Sequence, residues 1–168
     1  CVWNEPDGTI SDFYWEDNNL FFKFYEETYK TIKSLDENLT FGTPSMLVSL
    51  VNETEWAKSF FRYCRNNSCV PEFINIHYYD NSFVGNNLSK EYQMQTTGNL
   101  SKTVPLNSNP NAFMQYINNI KQLLKRYHME DLPLYLTEWN LTVSHRDLMN
   151  DTCFKACYLA KNILDNYD

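Results

Sequence analysis

Four times along this chain a short strand-type stretch gives way to a longer one with an apolar residue every three to four positions. That recurrence limits the fold more than any single residue does. Residues 1–4 read as the end of a buried strand. Asp17 or Asn18 caps a helix expected to reach about Leu35, with a stripe of Leu20, Phe24, Thr28 and Ile32 and with Phe21, Tyr25 and Leu35 beside it. Residues 39–43 read as a short strand ended by Pro44. A second helix is expected from about Glu53 to Asn66, with Trp56, Phe60, Phe61 and Cys64 on one side and Asn52 with Glu55 as an approximate capping box. Residues 72–78 alternate as a strand does. After a long polar stretch, 80–108, Asn109-Pro110 opens a third helix to about Tyr127, with Phe113, Tyr116, Ile117, Ile120 and Leu124 inward. Residues 134–137 form a strand entered from Pro133, and a last helix is expected from about Asp151 to Leu164. Strands alternating with helices predict an α/β protein with a parallel sheet, either an open doubly wound sheet or a (β/α)8 barrel.

Several functions are disfavoured at once. No strand is followed by a Gly-rich phosphate-binding turn, so nucleotide binding loses support. The net charge of −7 suits neither nucleic acid nor an anionic membrane surface. No apolar run approaches the length of a membrane span, and no signal peptide opens the chain. Five cysteines (Cys1, Cys64, Cys69, Cys153 and Cys157) are an odd number without zinc-knuckle spacing. Free thiols in a reducing, cytoplasmic compartment are the expectation, with Cys153 and Cys157 packed inward; a Cys64–Cys69 bridge stays open. Asn-x-Ser/Thr triplets at Asn38, Asn52, Asn66, Asn87, Asn99, Asn140 and Asn150 settle nothing about secretion in a chain this rich in Asn. No His/Cys/Asp cluster has metal spacing, so neither metal nor cofactor is expected; His128 and His145 read as surface residues.

In parallel α/β folds the chemistry gathers where strands end. Those ends read Trp3-Asn4-Glu5-Pro6, His77-Tyr78-Tyr79 and Thr137-Glu138-Trp139-Asn140. Two glutamates thus hold equivalent positions, each beside Trp or Asn, and Pro6 ends its strand at once. A strand-end glutamate by itself is more often a solvated or capping group. Two in matching contexts favour glycosidic bond cleavage, which needs one carboxyl group to protonate the leaving oxygen and an ionised one to attack the anomeric carbon. Aromatics reach 16% of the chain, and Phe13-Tyr14-Trp15, in the loop after Glu5, reads either as core or as a wall on which a sugar stacks.

At these residues the sequence resembles retaining glycoside hydrolases of the Glu/Glu barrel superfamily, and in particular glycoside hydrolase family 39, the β-xylosidase and α-L-iduronidase family. Trp3-Asn4-Glu5-Pro6 resembles the acid/base motif at the end of strand four, and Phe41-Gly42-Thr43-Pro44 the strand-five turn. Phe73-Ile74-Asn75-Ile76-His77-Tyr78-Tyr79 resembles strand six with its His-x-Tyr, and Leu136-Thr137-Glu138-Trp139-Asn140 the nucleophile strand seven. Asp151-Thr152 with the following Ala156-Cys157-Tyr158-Leu159-Ala160 resembles the start of the seventh helix. The resemblance implies that Glu5 is the acid/base and Glu138 the nucleophile. It implies that Asn4 bonds the hydroxyl beside the anomeric carbon, that His77 and Tyr79 line the subsite, and that Tyr79 orients Glu138. Trp15, Trp139 and Asn140 complete the expected substrate-binding set. Attack by Glu138 would form a glycosyl ester and remove a negative charge near Glu5, which lets Glu5 act next as a base toward water. The loop 80–108 and the segment 7–16 have their own character, and both would shape the rim.

A complete (β/α)8 barrel takes about 250 residues, and this chain has 168. Residues 1–168 are therefore expected to be one partial catalytic barrel, strands four to seven with their helices, truncated at both ends. Such a piece would have little activity alone and exposed edges through which to self-associate. The expected partner is a glycoside or oligosaccharide. A uronic acid would call for cations at the strand ends; none is there, which favours a neutral sugar such as xylose over an α-L-iduronidase-like substrate. The readings from other classes are a non-catalytic carbohydrate-binding relative and an unrelated doubly wound interaction domain.

Overall fold

The computed structural model describes residues 2–7, 15–51, 54–80, 109–141 and 150–167. Cys1, Phe13, Tyr14, His145, the triplets at Asn52, Asn87 and Asn99, and the stretch 81–108 lie outside them. The chain divides into two compact units, Cys1–His77 with Ile120–Thr137, and Tyr78–Asn119 with Glu138–Asp168.

In the first unit, helix α1 is Asn18–Leu35. Asp17 caps it as expected, its carboxylate accepting from the amides of Asn19 (2.9 Å) and Leu20 (3.1 Å). The buried face is rotated from the expected stripe. Phe21 and Tyr25, expected beside it, are buried together with Phe22 and Glu26, while Leu20 and Leu35 are exposed. The cause is the partner helix α3, Glu55–Asn66. Phe22 meets Trp56, Phe60 and Tyr63 at centroid distances of 5.3–5.6 Å, and Tyr25 meets Phe60 edge-on at 4.9 Å. Glu26 can be buried because Lys30 pairs with it and the Tyr63 hydroxyl donates to it at 2.5 Å. The expected face of α3 is correct, with Trp56, Phe60, Phe61 and Cys64 all buried. Its N-cap is Thr54, without a side-chain cap bond; Asn52, expected in a capping box, lies outside the described residues. Between them, the single turn α2, Val48–Val51, is capped from a distance: Asp7 accepts from the amides of Leu47 (3.2 Å) and Ser49 (2.8 Å).

Strands β1, Ile74–Tyr79, and β2, Leu134–Asn140, form a two-stranded sheet. The expected strand at 39–43 is reduced to isolated parallel bridges, Gly42 with Phe73 and Met46 with Ile76, and Asn4 bridges Ser45 in the same way. Pro44 sits in the middle of this segment and has no amide hydrogen to donate, which breaks a continuous ladder. The order of pairing still follows the order of the chain, from Asn4 through 42–46 and β1 to β2. An open cleft of about 600 Å³ lies in this unit; Asn75, Tyr135 and Thr137 are among its lining residues, and Glu5 and His77 are not.

Helix α4, Ala112–Lys125, begins in the second unit and ends in the first. It buries Phe113, Tyr116, Ile120, Leu123 and Leu124. Helix α5, Cys153–Asp165, is capped by Thr152. Contrary to expectation, Cys153 and Cys157 are exposed. They lie about 100° or more round the helix from Tyr158, whose ring meets Trp139, and the buried residue of α5 is Asn162. Among the described residues no helix is long and apolar enough to cross a membrane.

Candidate active site

The first unit places Glu5 at an unusual point of the backbone. Trp3 and Glu5 have φ of 72° and 42°, in the left-handed region that a bulky residue enters at a cost of roughly 1–2 kcal/mol. Two bonds hold the segment there: the Glu5 amide donates to the Ser45 carbonyl at 2.8 Å, and the Ser45 amide to the Trp3 carbonyl at 3.3 Å. The Glu5 carboxyl group meets His77, with Nδ1 and Oε1 2.7 Å apart. His77 is buried and its backbone amide donates to the Met46 carbonyl at 2.9 Å, so its main chain is anchored as well as its ring. Glu5 keeps 17% of its side-chain surface open. The contact carries one proton, from Nδ1–H to a carboxylate or from a carboxyl O–H to Nδ1. Asn4 is half-buried in its bridge to Ser45.

Trp15 stacks on Phe24 at 5.5 Å and 17° and meets Phe21 and Trp3 edge-on. Its ring thus joins the aromatic surface of α1, and it remains half-exposed. Asp7, two residues after Glu5, is fully inside; burial pushes its carboxyl group up, against the bonds it accepts from Ser49 and Leu47.

In the second unit, the Tyr79 hydroxyl donates to Oε1 of Glu138. Glu138 is exposed, so the carboxylate that receives this bond is open to solvent. The next residue back has a different surrounding. Tyr78 packs on Phe113 and Tyr116 at 4.9 and 5.0 Å, and its hydroxyl donates to Asp80 at 2.7 Å. Burial raises the Asp80 carboxyl group to about 6, partly offset by that bond. Trp139 stacks on Phe113 at 5.7 Å and meets Tyr158 at 6.1 Å, which places its ring among side chains of α4 and α5. Asn140 accepts from the Leu141 amide at 2.9 Å, which ties its side chain to the strand end.

An imidazole thus meets Glu5 and a phenol meets Glu138. The Tyr79–Glu138 contact was expected. The His77–Glu5 contact was not, since the residues are 72 positions apart and neither motif names the other. Asp7 and Asp80 were also missed. Asp80 carried a readable signal, because a residue two positions after a buried strand tyrosine shares its face.

Comparison with known proteins gives a consistent picture. The family model of glycosyl hydrolases family 39 matches residues 1–168. The chain is 27% identical over 169 residues to a β-xylosidase of Geobacillus stearothermophilus, covering 99% of this chain and 31% of that protein. It is 28% identical over 171 residues to a β-xylosidase of Caldicellulosiruptor saccharolyticus, covering 99% and 30%. Two crystal structures superpose on it with a TM-score of 0.72 and 25% identity over 96% of the chain. They are the GH39 enzyme from Xanthomonas axonopodis pv. citri, of which it covers 29%, and a monomeric β-xylosidase from Caulobacter crescentus CB15, of which it covers 30%. The chain spans about three-tenths of the length of the curated relatives it matches.

Proposed function

Because the chain belongs to glycosyl hydrolases family 39, we propose that the protein carrying it is a retaining glycosidase that cleaves β-xylosidic bonds, with Glu5 as acid/base and Glu138 as nucleophile. Residues 1–168 supply strands four to seven of its (β/α)8 barrel; the pairing order Asn4, 42–46, β1, β2 supports that assignment. The observation that carries the reading is the contrast between the two carboxyl groups. Glu138 is open to solvent and receives the Tyr79 hydroxyl, as befits an oxygen that must be aimed at an anomeric carbon. Glu5 shares a proton-bearing contact with a buried histidine, as befits a group that gives up a proton and takes one back.

In the first step Glu5 protonates the leaving oxygen while Glu138 attacks, and the glycosyl group becomes an ester of Glu138. In the second, water enters, Glu5 takes its proton, and the ester is cleaved with the original anomeric configuration restored. His77 holds Glu5 in place through both steps, and Tyr79 holds Glu138. Asn4 and Asn140 offer amides for sugar hydroxyls, and Trp15 offers part of an apolar wall. Trp139 contributes through the packing that sets the end of β2. The two curated relatives are β-xylosidases, and that activity fits strand ends that carry no cation.

The test uses the full-length protein, an aryl β-xyloside and a 2-fluoro xyloside with a good leaving group. The expected result is trapped sugar on the peptide carrying Glu138 and loss of turnover in Glu138→Gln. Label on another residue, or undiminished turnover in the variant, would overturn the nucleophile assignment.

A further inference from the structure

Helix α3 ends in a recurring way, but with unusual side chains. The Asn67 amide donates to the Tyr63 carbonyl at 3.0 Å, Ser68 turns into the left-handed region with φ of 55°, and the Cys69 amide reaches back to the Cys64 carbonyl at 3.0 Å. That backbone bond, from the second residue past the cap to the third residue before it, is a Schellman closure, and it brings the two bracketing side chains into contact. Apolar residues usually fill those places. Here both are cysteines, and both are 0% exposed.

A backbone bond between two residues also holds their Cα atoms within the ~4.4–6.8 Å that a disulfide spans. The closure sets the two buried thiols beside each other. Their surroundings make them unequal. Burial pushes the Cys64 thiol up, whereas the hydrogen bond from Cys64 brings Cys69 down. Cys69 is thus the better nucleophile of the two.

We infer that Cys64 and Cys69 are a disulfide-forming pair whose bridge locks the end of α3 to the chain entering β1. With glutathione disulfide as the oxidant, the Cys69 thiolate attacks one of its sulfurs and expels one glutathione thiolate. The Cys64 thiolate then attacks the Cys69 sulfur of the mixed disulfide and expels the second. Two electrons pass from the protein thiols to the glutathione disulfide, and their two protons leave to solvent or to the released glutathione thiolates. The bridge would tie α3 to a segment already anchored on its other side, where Glu72 accepts from the Phe41 amide and pairs with Lys33. Cys153 and Cys157 are exposed one turn apart on α5 and serve as internal controls for thiol labelling.

The experiment incubates the purified full-length protein in graded mixtures of reduced and oxidised glutathione, blocks free thiols with N-ethylmaleimide in denaturant, and digests with trypsin without reduction. Trypsin cuts after Arg65, so the bridge appears as residues 63–65 tethered to residues 66–90, separating on reduction. The expected result is that this species grows with the oxidised fraction while Cys64 and Cys69 lose maleimide together. The Cys69→Ser variant should yield none of it. Maleimide on both cysteines at every ratio, stable glutathione adducts at either one, or cross-linking to Cys153 or Cys157 instead would overturn the inference.

Discussion

A methyl group at position 42 is expected to be costly out of proportion to its size. A Cβ built on Gly42 would lie 2.1 Å from Cε2 of Phe73, with Cδ2 and Cζ at 2.4 and 2.5 Å. Ordinary contact begins at 3.4 Å, so the ring would have to retreat by about 1.3 Å. It has little freedom to do so. Its backbone is bridged to Gly42 and accepts from the Thr43 amide at 3.1 Å, and its ring meets Tyr135 edge-on at 5.1 Å. Overpacking against a fixed neighbour costs about 2–3 kcal/mol, and Gly42→Ala should lower stability by that amount in urea unfolding of the full-length protein followed by tryptophan fluorescence. The discriminating measurement is a double-mutant cycle. Phe73→Ala is destabilising by itself but vacates the space, so the double variant should be more stable than the sum of its parts by at least ~1 kcal/mol. A Gly42→Ala variant within ~0.5 kcal/mol of the wild type, or two penalties that simply add, would refute the reasoning. The segment bears on the proposed site because the carbonyls of Ser45 and Met46 just beyond it receive the amides of Glu5 and His77.

Other outcomes are open to direct measurement. Tyr79→Phe removes the hydroxyl that Glu138 accepts; kcat on an aryl β-xyloside should fall roughly 10- to 100-fold, the equivalent of about 1.5–3 kcal/mol, with the urea midpoint unchanged. Glu5→Gly should be more stable than Glu5→Ala by ~1 kcal/mol, since only glycine takes a positive φ without strain; equal stabilities would remove the strain argument. Asp80 sits at about 6 in the folded chain against 3.8 as a free side chain. The folded state therefore binds the proton more tightly, and this group's contribution to stability falls as pH rises from 3.8 to about 6 and is level beyond. Asp80→Asn should flatten that slope in urea midpoints taken across the window, and an unchanged slope would contradict it.

Much of the fold was legible because it rests on local rules. Asp17 announces α1, and the apolar face of α3 follows from helical spacing alone. The face of α1 was not legible, because Phe22 is turned inward by Trp56, Phe60 and Tyr63 of a helix 20 residues or more further along the chain. The expected inward packing of Cys153 and Cys157 assumed that α5 has more cover on that face than it does. At the candidate site, position and type single out the two strand-end glutamates, and the expected link of Tyr79 to Glu138 is a hydrogen bond in the structure. Trp139 shows what side-chain alternation adds: neighbours on a strand point to opposite faces, so the residue after an outward-reaching Glu138 is directed among α4 and α5. The His77–Glu5 contact depends on three chain segments meeting, and no spacing in the sequence encodes it.

The left-handed backbone at Glu5 also bears on how this sequence can change over generations. On conformational grounds the position favours glycine, with aspartate or asparagine next. Glycine and aspartate are each one nucleotide from either glutamate codon. Drift alone would thus carry residue 5 away from glutamate toward a backbone at ease. A chain that keeps Glu5 does so against that slope, as the proposed role of its carboxyl group requires. A lineage released from the need for that carboxyl group should lose it here early, and a glycine beside an intact Asn4 and Pro6 would be the trace it leaves.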